Sequence, residues 1–136
     1  MGYAVRLDLE RIYGKDLIDN LADINDDGQP DMNVVEEAIS GASAIIDGYV
    51  GVRYSVPIQP APEVLRNFCV DIATYRMAYH KLKQTDEMRK RYEDAIKFLE
   101  RVADGKAALA IDSNSDGGSD DQAPGSVITT SFLNRA

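Results

Sequence analysis

The sequence has no tryptophan, a single cysteine and a single histidine. One cysteine cannot close a disulfide within the chain, which suits the reducing conditions of a cytosol. A zinc site needs several Cys and His ligands at fixed spacing, and one residue of each type is too few. These scarcities exclude a disulfide-stapled scaffold and a zinc centre.

Long apolar runs are also missing. No stretch approaches the roughly 18 apolar residues of a membrane span, and no N-terminal run combines positive charge with an apolar core as signal peptides do. We therefore expect no membrane segment. The chain carries 23 acidic against 15 basic residues, a net charge of −8. Because nucleic-acid phosphates attract basic surfaces, this balance argues against sequence-specific nucleic-acid binding.

Motifs for catalysis are not found either. The sequence contains no G-x-S-x-G nucleophile elbow and no phosphate-binding loop. His80 falls at the edge of an apolar helix face, without a pattern of Ser or Cys partners. We expect that the protein is not an enzyme.

Helical periodicity is the main positive signal. From Asn33 to Val50 the larger apolar residues fall in one arc of roughly 160° when the segment is wound at about 100° per residue. Asn33 and Glu36 match a capping box at its start. Val56 and Pro57 end helical geometry, because a residue before proline is pushed out of the α-helical region. The segment predicts one amphipathic helix.

Three further helices are predicted, at about 8–21, 62–82 and 85–103. The first has Asp8 as its expected N-cap and a break or bend at Gly14, and the last has Thr85 as N-cap with Gly105 just beyond its end. Four helices predict an all-α fold, a four-helix domain at 1–108.

The helix predicted at 62–82 is apolar on two sides. Its main arc reaches Tyr79 and Leu82. A second stripe consists of Val70, Ala73 and Met77. Such a helix is either central in its domain or has one face against a partner. We take the second stripe as a candidate partner-binding surface.

Seven side chains are predicted to be buried together: Ile45, Ile46, Phe68, Ile72, Tyr92, Ile96 and Leu99. Arg76 falls within the apolar arc of its helix, where it can lay its stem along the core or pair with a carboxylate. Asp47 and Asp71 are both candidates for that carboxylate.

The residues from 109 to 136 have a different character. Residues 112–125 are rich in Asp, Gly and Ser and carry four acidic residues and no basic one, which predicts a flexible acidic linker. The apolar, β-branched run Val127–Leu133 follows. We expect this extended C-terminal tail to dock on a partner. Its candidate partner-binding residues are Val127, Ile128 and Phe132.

An acidic segment between the first two predicted helices matches the first nine positions of an EF-hand-type calcium loop. The oxygen donors would be Asp23, Asn25, Asp27, Gln29 (through its backbone carbonyl) and Asp31. Gly28 supplies the sharp turn, but Val34 replaces the bidentate Glu of position 12. Ca²⁺ is thus the one cofactor that the sequence suggests. A polar turn in which Asp31 or Asn33 caps the next helix is the alternative.

Four short motifs resemble a known family. They are A-I-x-x-A-S-x-x-I-D-x-Y (38–49), R-Y-x-x-P-I (53–58), D-I-A-x-Y (71–75) and R-Y-x-x-A-I-x-x-L (91–99). Their order and spacing resemble the small neck proteins of Mu-type phages and prophages over about residues 3–108. The resemblance implies an all-α head-tail connector subunit, present as one copy in a ring at the portal vertex.

The leading hypothesis is therefore a structural virion protein, assembled in the bacterial host cytoplasm and located in the neck of the particle. Its partners would be other copies in a homo-oligomeric ring, the portal protein and neck or tail-completion proteins. The alternative from a different class is a small EF-hand-like calcium-binding interaction module. That module would respond to calcium and expose an apolar groove.

Overall fold

The computed structural model describes residues 2–109, and these residues form helices and connecting loops without a strand. The helices are α1 (Arg6–Tyr13), α2 (Lys15–Ala22), α3 (Met32–Val50), α4 (Glu63–His80) and α5 (Asp86–Ala103). The all-α prediction is confirmed. The tail residues Val127, Ile128 and Phe132 lie outside the described residues, as does the acidic linker.

The fifth helix arises at Gly14, where the first predicted helix divides in two. Gly14 has φ +93°, a backbone conformation that side chains with a Cβ rarely adopt. Its N–H donates to the Glu10 carbonyl at 2.8 Å, and its own carbonyl accepts from the Ile18 N–H at 3.2 Å. One glycine therefore ends α1 and begins α2, as the predicted break required.

Two of the predicted N-caps are wrong and one is confirmed. The helix α1 begins after Val5, whose N–H donates to the Asp8 carboxylate at 3.0 Å, so Asp8 lies inside the first turn. The N-cap of α3 is Asp31, whose carboxylate accepts from the Asn33 N–H at 3.0 Å. Thr85 caps α5 as expected, accepting from the Met88 N–H at 3.1 Å.

The end of α5 is closed by a Schellman motif. Gly105 has φ +79°, and its N–H donates to the Val102 carbonyl at 3.1 Å, while the Lys106 N–H donates to the Arg101 carbonyl at 2.7 Å. The following chain runs to Leu109, which is buried. The predicted C-cap glycine is confirmed.

The helix α4 is the centre of the domain and packs against all four other described helices. Together with α3 it forms a central pair, on which α5 lies without contacting α2. The second apolar stripe of α4 is buried in this arrangement: Val70, Ala73 and Met77 are 0%, 0% and 3% exposed. The prediction of an exposed partner-binding stripe is corrected, because the domain itself covers these residues; Met77 is reached only at the floor of a groove between α2, α3 and α4.

The residues of the predicted cluster lie in or against the core, with two degrees of burial. Ile46, Ile72 and Leu99 are fully buried. Ile45, Phe68, Tyr92 and Ile96 are partly buried and pack against that core. The predicted phases of α3, α4 and α5 are therefore right.

The last turn of α4 departs from its predicted apolar arc. Tyr79 is 59% exposed and Leu82 is 82% exposed. Leu82 lies beyond the helix with φ +57°, the left-handed position that closes a helix end, and the Lys83 N–H donates back to the Ala78 carbonyl at 2.8 Å. The chain turns away before Leu82 can reach the core, so its place in the predicted arc is wrong.

Candidate functional site

The loop predicted to bind calcium is organised around the carboxylate of Asp23. Its two oxygens accept the backbone N–H groups of Asp27 at 3.0 Å and Gly28 at 2.8 Å. Burial opposes ionisation of Asp23, but these N–H donors outweigh it and hold its pKa below the usual value. Asp23 therefore fixes the turn as an anionic acceptor.

A lysine from the end of α4 supplies the positive charge of this loop. The Lys81 ammonium lies 2.5 Å from the Asp23 carbonyl oxygen, 3.0 Å from the Asn20 carbonyl oxygen and 3.0 Å from Asp26 Oδ1. Only 7% of its side chain is exposed. Three oxygens around one buried ammonium make Lys81 the counter-charge that the acidic loop requires.

The carboxylates proposed as calcium ligands are engaged with the backbone. The Asp27 carboxylate accepts from the Gln29 N–H at 2.9 Å, and Asp31 caps α3. Asn25 is exposed. Within residues 2–109, no three His, Cys, Asp or Glu side chains are arranged to hold a metal. Calcium binding stays a prediction. A bound ion would have to displace Lys81 or draw these carboxylates away from their backbone hydrogen bonds.

Two of the family-like motifs meet around a partly buried carboxylate. Asp71 of α4 accepts a hydrogen bond from the Tyr13 hydroxyl at 2.8 Å and lies 3.8 Å from the guanidinium of Arg91 in α5. The same guanidinium stands 5.5 Å from the centre of the Tyr13 ring. Burial raises the pKa of Asp71, and burial together with Asp71 raises that of Tyr13. This cluster joins α1, α4 and α5.

The same two motifs also meet through their aromatic residues. The rings of Tyr75 and Tyr92 are stacked, with centroids 4.5 Å apart and planes 17° from parallel. Arg76, next to Tyr75, lies over Gly41 of α3, where an added Cβ would come within 3.1 Å of the guanidinium. Neither carboxylate suggested for Arg76 pairs with it, because Asp71 is taken by Tyr13 and Arg91, and Asp47 by Tyr3.

The other two motifs are connected through the N-terminal segment. The Tyr3 hydroxyl donates to the Asp47 carboxylate and accepts from the Ile58 N–H at 2.9 Å. Burial and the hydrogen bond to Asp47 raise the pKa of Tyr3 to about 12. Tyr3 thereby fixes α3 to the loop that follows it.

The R-Y dipeptide of the second motif fixes the end of the described chain. Arg53 Nε donates to the Ala103 carbonyl at 3.3 Å, and the Tyr54 hydroxyl accepts from the Leu109 N–H at 3.1 Å. A Cβ at Gly105 would collide with the Arg53 guanidinium. The four motifs on which the family resemblance is based therefore stabilise the fold of the domain.

Raising the pH from 9 to 11 should destabilise the folded protein, and part of this loss should come from Tyr3. Its pKa is about 12 in the folded chain against an ordinary value of 10.0. A raised pKa gives stability that is complete below pH 10 and is lost as the pH rises through 12. In urea unfolding at both pH values, the parent should lose about 1 kcal/mol more than Tyr3→Phe. Equal losses would contradict this role of Tyr3.

Three of these residues were missed by sequence reasoning: Tyr3, Tyr13 and Lys81. Each acts across more than 40 positions of the chain, where helical periodicity carries no information. Only the acidity of the loop near Asp23 pointed to a basic partner.

None of the helices in the described part of the chain is long and apolar enough to cross a membrane.

Comparison with known proteins identifies the family. Residues 3–127 match the family described as Bacteriophage Mu, Gp36. The chain is 38% identical over 109 residues to the Mu-like prophage FluMu protein gp36 of Haemophilus influenzae, covering 80% of this chain and 76% of that protein. It is 34% identical over 114 residues to gene product J of Escherichia phage Mu, covering 83% and 79%. The chain belongs to the bacteriophage Mu Gp36 family and is a phage structural or morphogenesis protein.

Proposed function

We propose that this chain is a head-tail connector subunit, present as one copy in a ring between the portal and the tail. The observation that carries the proposal is where the family-like motifs fall in the structure. Their residues contact one another across the domain, Asp71 with Arg91 and Tyr75 with Tyr92. A domain in which the motif residues stabilise the fold is suited to a structural role, such as that of a ring subunit.

The distribution of charge supports contacts between unlike surfaces. Residues 2–62 contain eleven acidic and four basic side chains, whereas residues 63–109 contain eight acidic and ten basic ones. A ring needs two different, complementary surfaces on every copy, because each subunit contacts the next in the same direction. An acidic first part and a weakly basic second part favour such a head-to-tail contact.

The connector has portal, neck or tail-completion proteins as further partners in this proposal, and the neck of the virion as its location. The calcium-binding module is the weaker candidate. Its one loop lacks the bidentate Glu, and Lys81 already lies among its oxygen atoms.

The test is made in a prophage that carries this gene. A nonsense variant should yield DNA-filled heads and separate tails in electron micrographs of the lysate. Purified full-length protein added to that lysate should restore joined, infectious particles. Joined particles in the nonsense lysate would overturn the connector role.

Deletion of residues 126–136 separates docking from folding. The truncated chain should keep its helical circular dichroism and melting temperature but fail to join heads with tails. Thr129→Ala is the matched control, because it removes no apolar side chain from the segment. Unfolding of the truncated chain would place the tail in the domain's own core and contradict a docking role.

A further inference from the structure

A groove opens between α2, α3 and α4, on the side of the domain away from α5. Leu21, Ala38 and Met77 line its inner part, and Ile24 and Val34 its apolar rim. Ile24 is 42% exposed. The described residues therefore leave the apolar rim of the groove partly uncovered.

The size of the groove suits peptide side chains. Its volume is about 250 Å³, below the roughly 300–1,000 Å³ of typical small-molecule sites. Polar side chains stand at its edge, Glu37 from α3 and Arg76 and His80 from α4. An apolar segment flanked by polar residues matches such a surface.

We propose that the segment Val127–Leu133 of a neighbouring copy occupies this groove. The proposal rests on the ring proposed above, because it supplies the two unlike surfaces that a closed ring requires. Val127, Ile128, Phe132 and Leu133 provide the apolar side chains. Residues 2–109 contain no strand, so the segment cannot bind them by adding to a sheet edge and must bind through its side chains.

The length of the chain beyond the described residues fits this contact. Leu109 is held by Tyr54, past the end of α3, whereas the groove lies at the start of α3 near Val34. The 19 residues of α3 span about 28 Å. The 17 residues from 110 to 126 have an r.m.s. span of about 21–25 Å if they behave as a flexible linker. A linker of this length reaches a groove about one domain length away, and the ring proposed above assigns that groove to the neighbouring copy.

Charge favours the same placement. Arg135 is the only basic residue between 110 and 136 and lies two residues after the apolar segment. Glu37 at the groove and the neighbouring Glu36 are exposed, and residues 2–62 as a whole are acidic.

Thiol cross-linking tests the proposal. The full-length chain carries Ile24→Cys with Phe132→Cys, and a second variant carries Glu37→Cys with Phe132→Cys. The matched control joins Phe132→Cys to Lys97→Cys, an exposed site on α5. Mild oxidation is applied both to concentrated purified protein and to phage particles, and products are separated under denaturing, non-reducing conditions.

A ladder of covalent dimers and larger multimers from either groove pair supports the proposal. It should exceed the control by about tenfold, because docking raises the local concentration of the second thiol. A cross-linked monomer of altered mobility would overturn it, since the tail would then bind its own copy. Ladders equal to the control, or no product, would also overturn it.

The experiment tests the groove contact separately from the connector role. Protein found in particle necks without cross-links leaves the connector role in place and overturns the groove contact. Cross-linked multimers of the purified chain, with no protein in the particles, overturn the connector role and support the contact.

Discussion

Replacing Leu99 by alanine should destabilise the domain by about 2–5 kcal/mol, and Ile72→Ala should have a similar effect. Both side chains are fully buried where α4 and α5 pack together. Truncation removes apolar contacts and leaves a cavity that close-packed neighbours fill only in part. Urea unfolding followed by circular dichroism measures the loss directly.

Leu82→Ala is the matched control for these substitutions, because Leu82 lies in the same sequence region but is 82% exposed. Its effect should stay within about half a kcal/mol. Losses as small as this at both Leu99 and Ile72 would show that the packing of α4 on α5 is wrong.

Lys81→Met should cost about 2–3 kcal/mol of the free energy of unfolding. The substitution removes a buried ammonium that holds three oxygen atoms, and it leaves the carbonyls of Asn20 and Asp23 without that donor. Lys83→Met is the matched control. Lys83 is exposed, and its ammonium donates to the Asn20 side chain at 2.8 Å, so its loss should cost less than about 1 kcal/mol. Equal losses of stability for Lys81→Met and Lys83→Met would contradict the role of Lys81 in stabilising the loop.

The same variants test the calcium prediction. Calorimetry with Ca²⁺ should show binding near the millimolar range for the parent, and tighter binding for Lys81→Met, because the competing ammonium is gone. Asp23→Ala with Asp27→Ala should abolish the heat. No heat for any variant at about 10 mM Ca²⁺ would leave the polar-turn interpretation alone.

Local signals predicted most of the helical framework. The apolar phase of α3 placed Ile46 in the core, Gly14 predicted the division between α1 and α2, and Thr85 and Gly105 predicted both ends of α5. Each of these depends on residues within one or two helical turns, so periodicity and capping rules are sufficient.

Local patterns could not decide the outcome where a residue meets distant parts of the chain. Val70 and Met77 have the composition of an exposed apolar stripe, but α1 and α2 pack on α4 and cover them. The loop at Asp23 has the spacing of a calcium ligand set, but a lysine 58 positions away lies among its oxygens. Spacing along the chain identifies the donors, whereas only the packing of helices shows which cation they meet.

The hydrogen bonds of Tyr3 also have a consequence for the order in which the protein folds. Its hydroxyl contacts Asp47 and the backbone of Ile58, 44 and 55 residues further along the chain. During synthesis the segment around Tyr3 leaves the ribosome long before either partner exists. Neither hydrogen bond can form before residues 47 and 58 have been synthesised. The first residues of this chain to be made therefore reach their final position only after almost half of the chain has been synthesised.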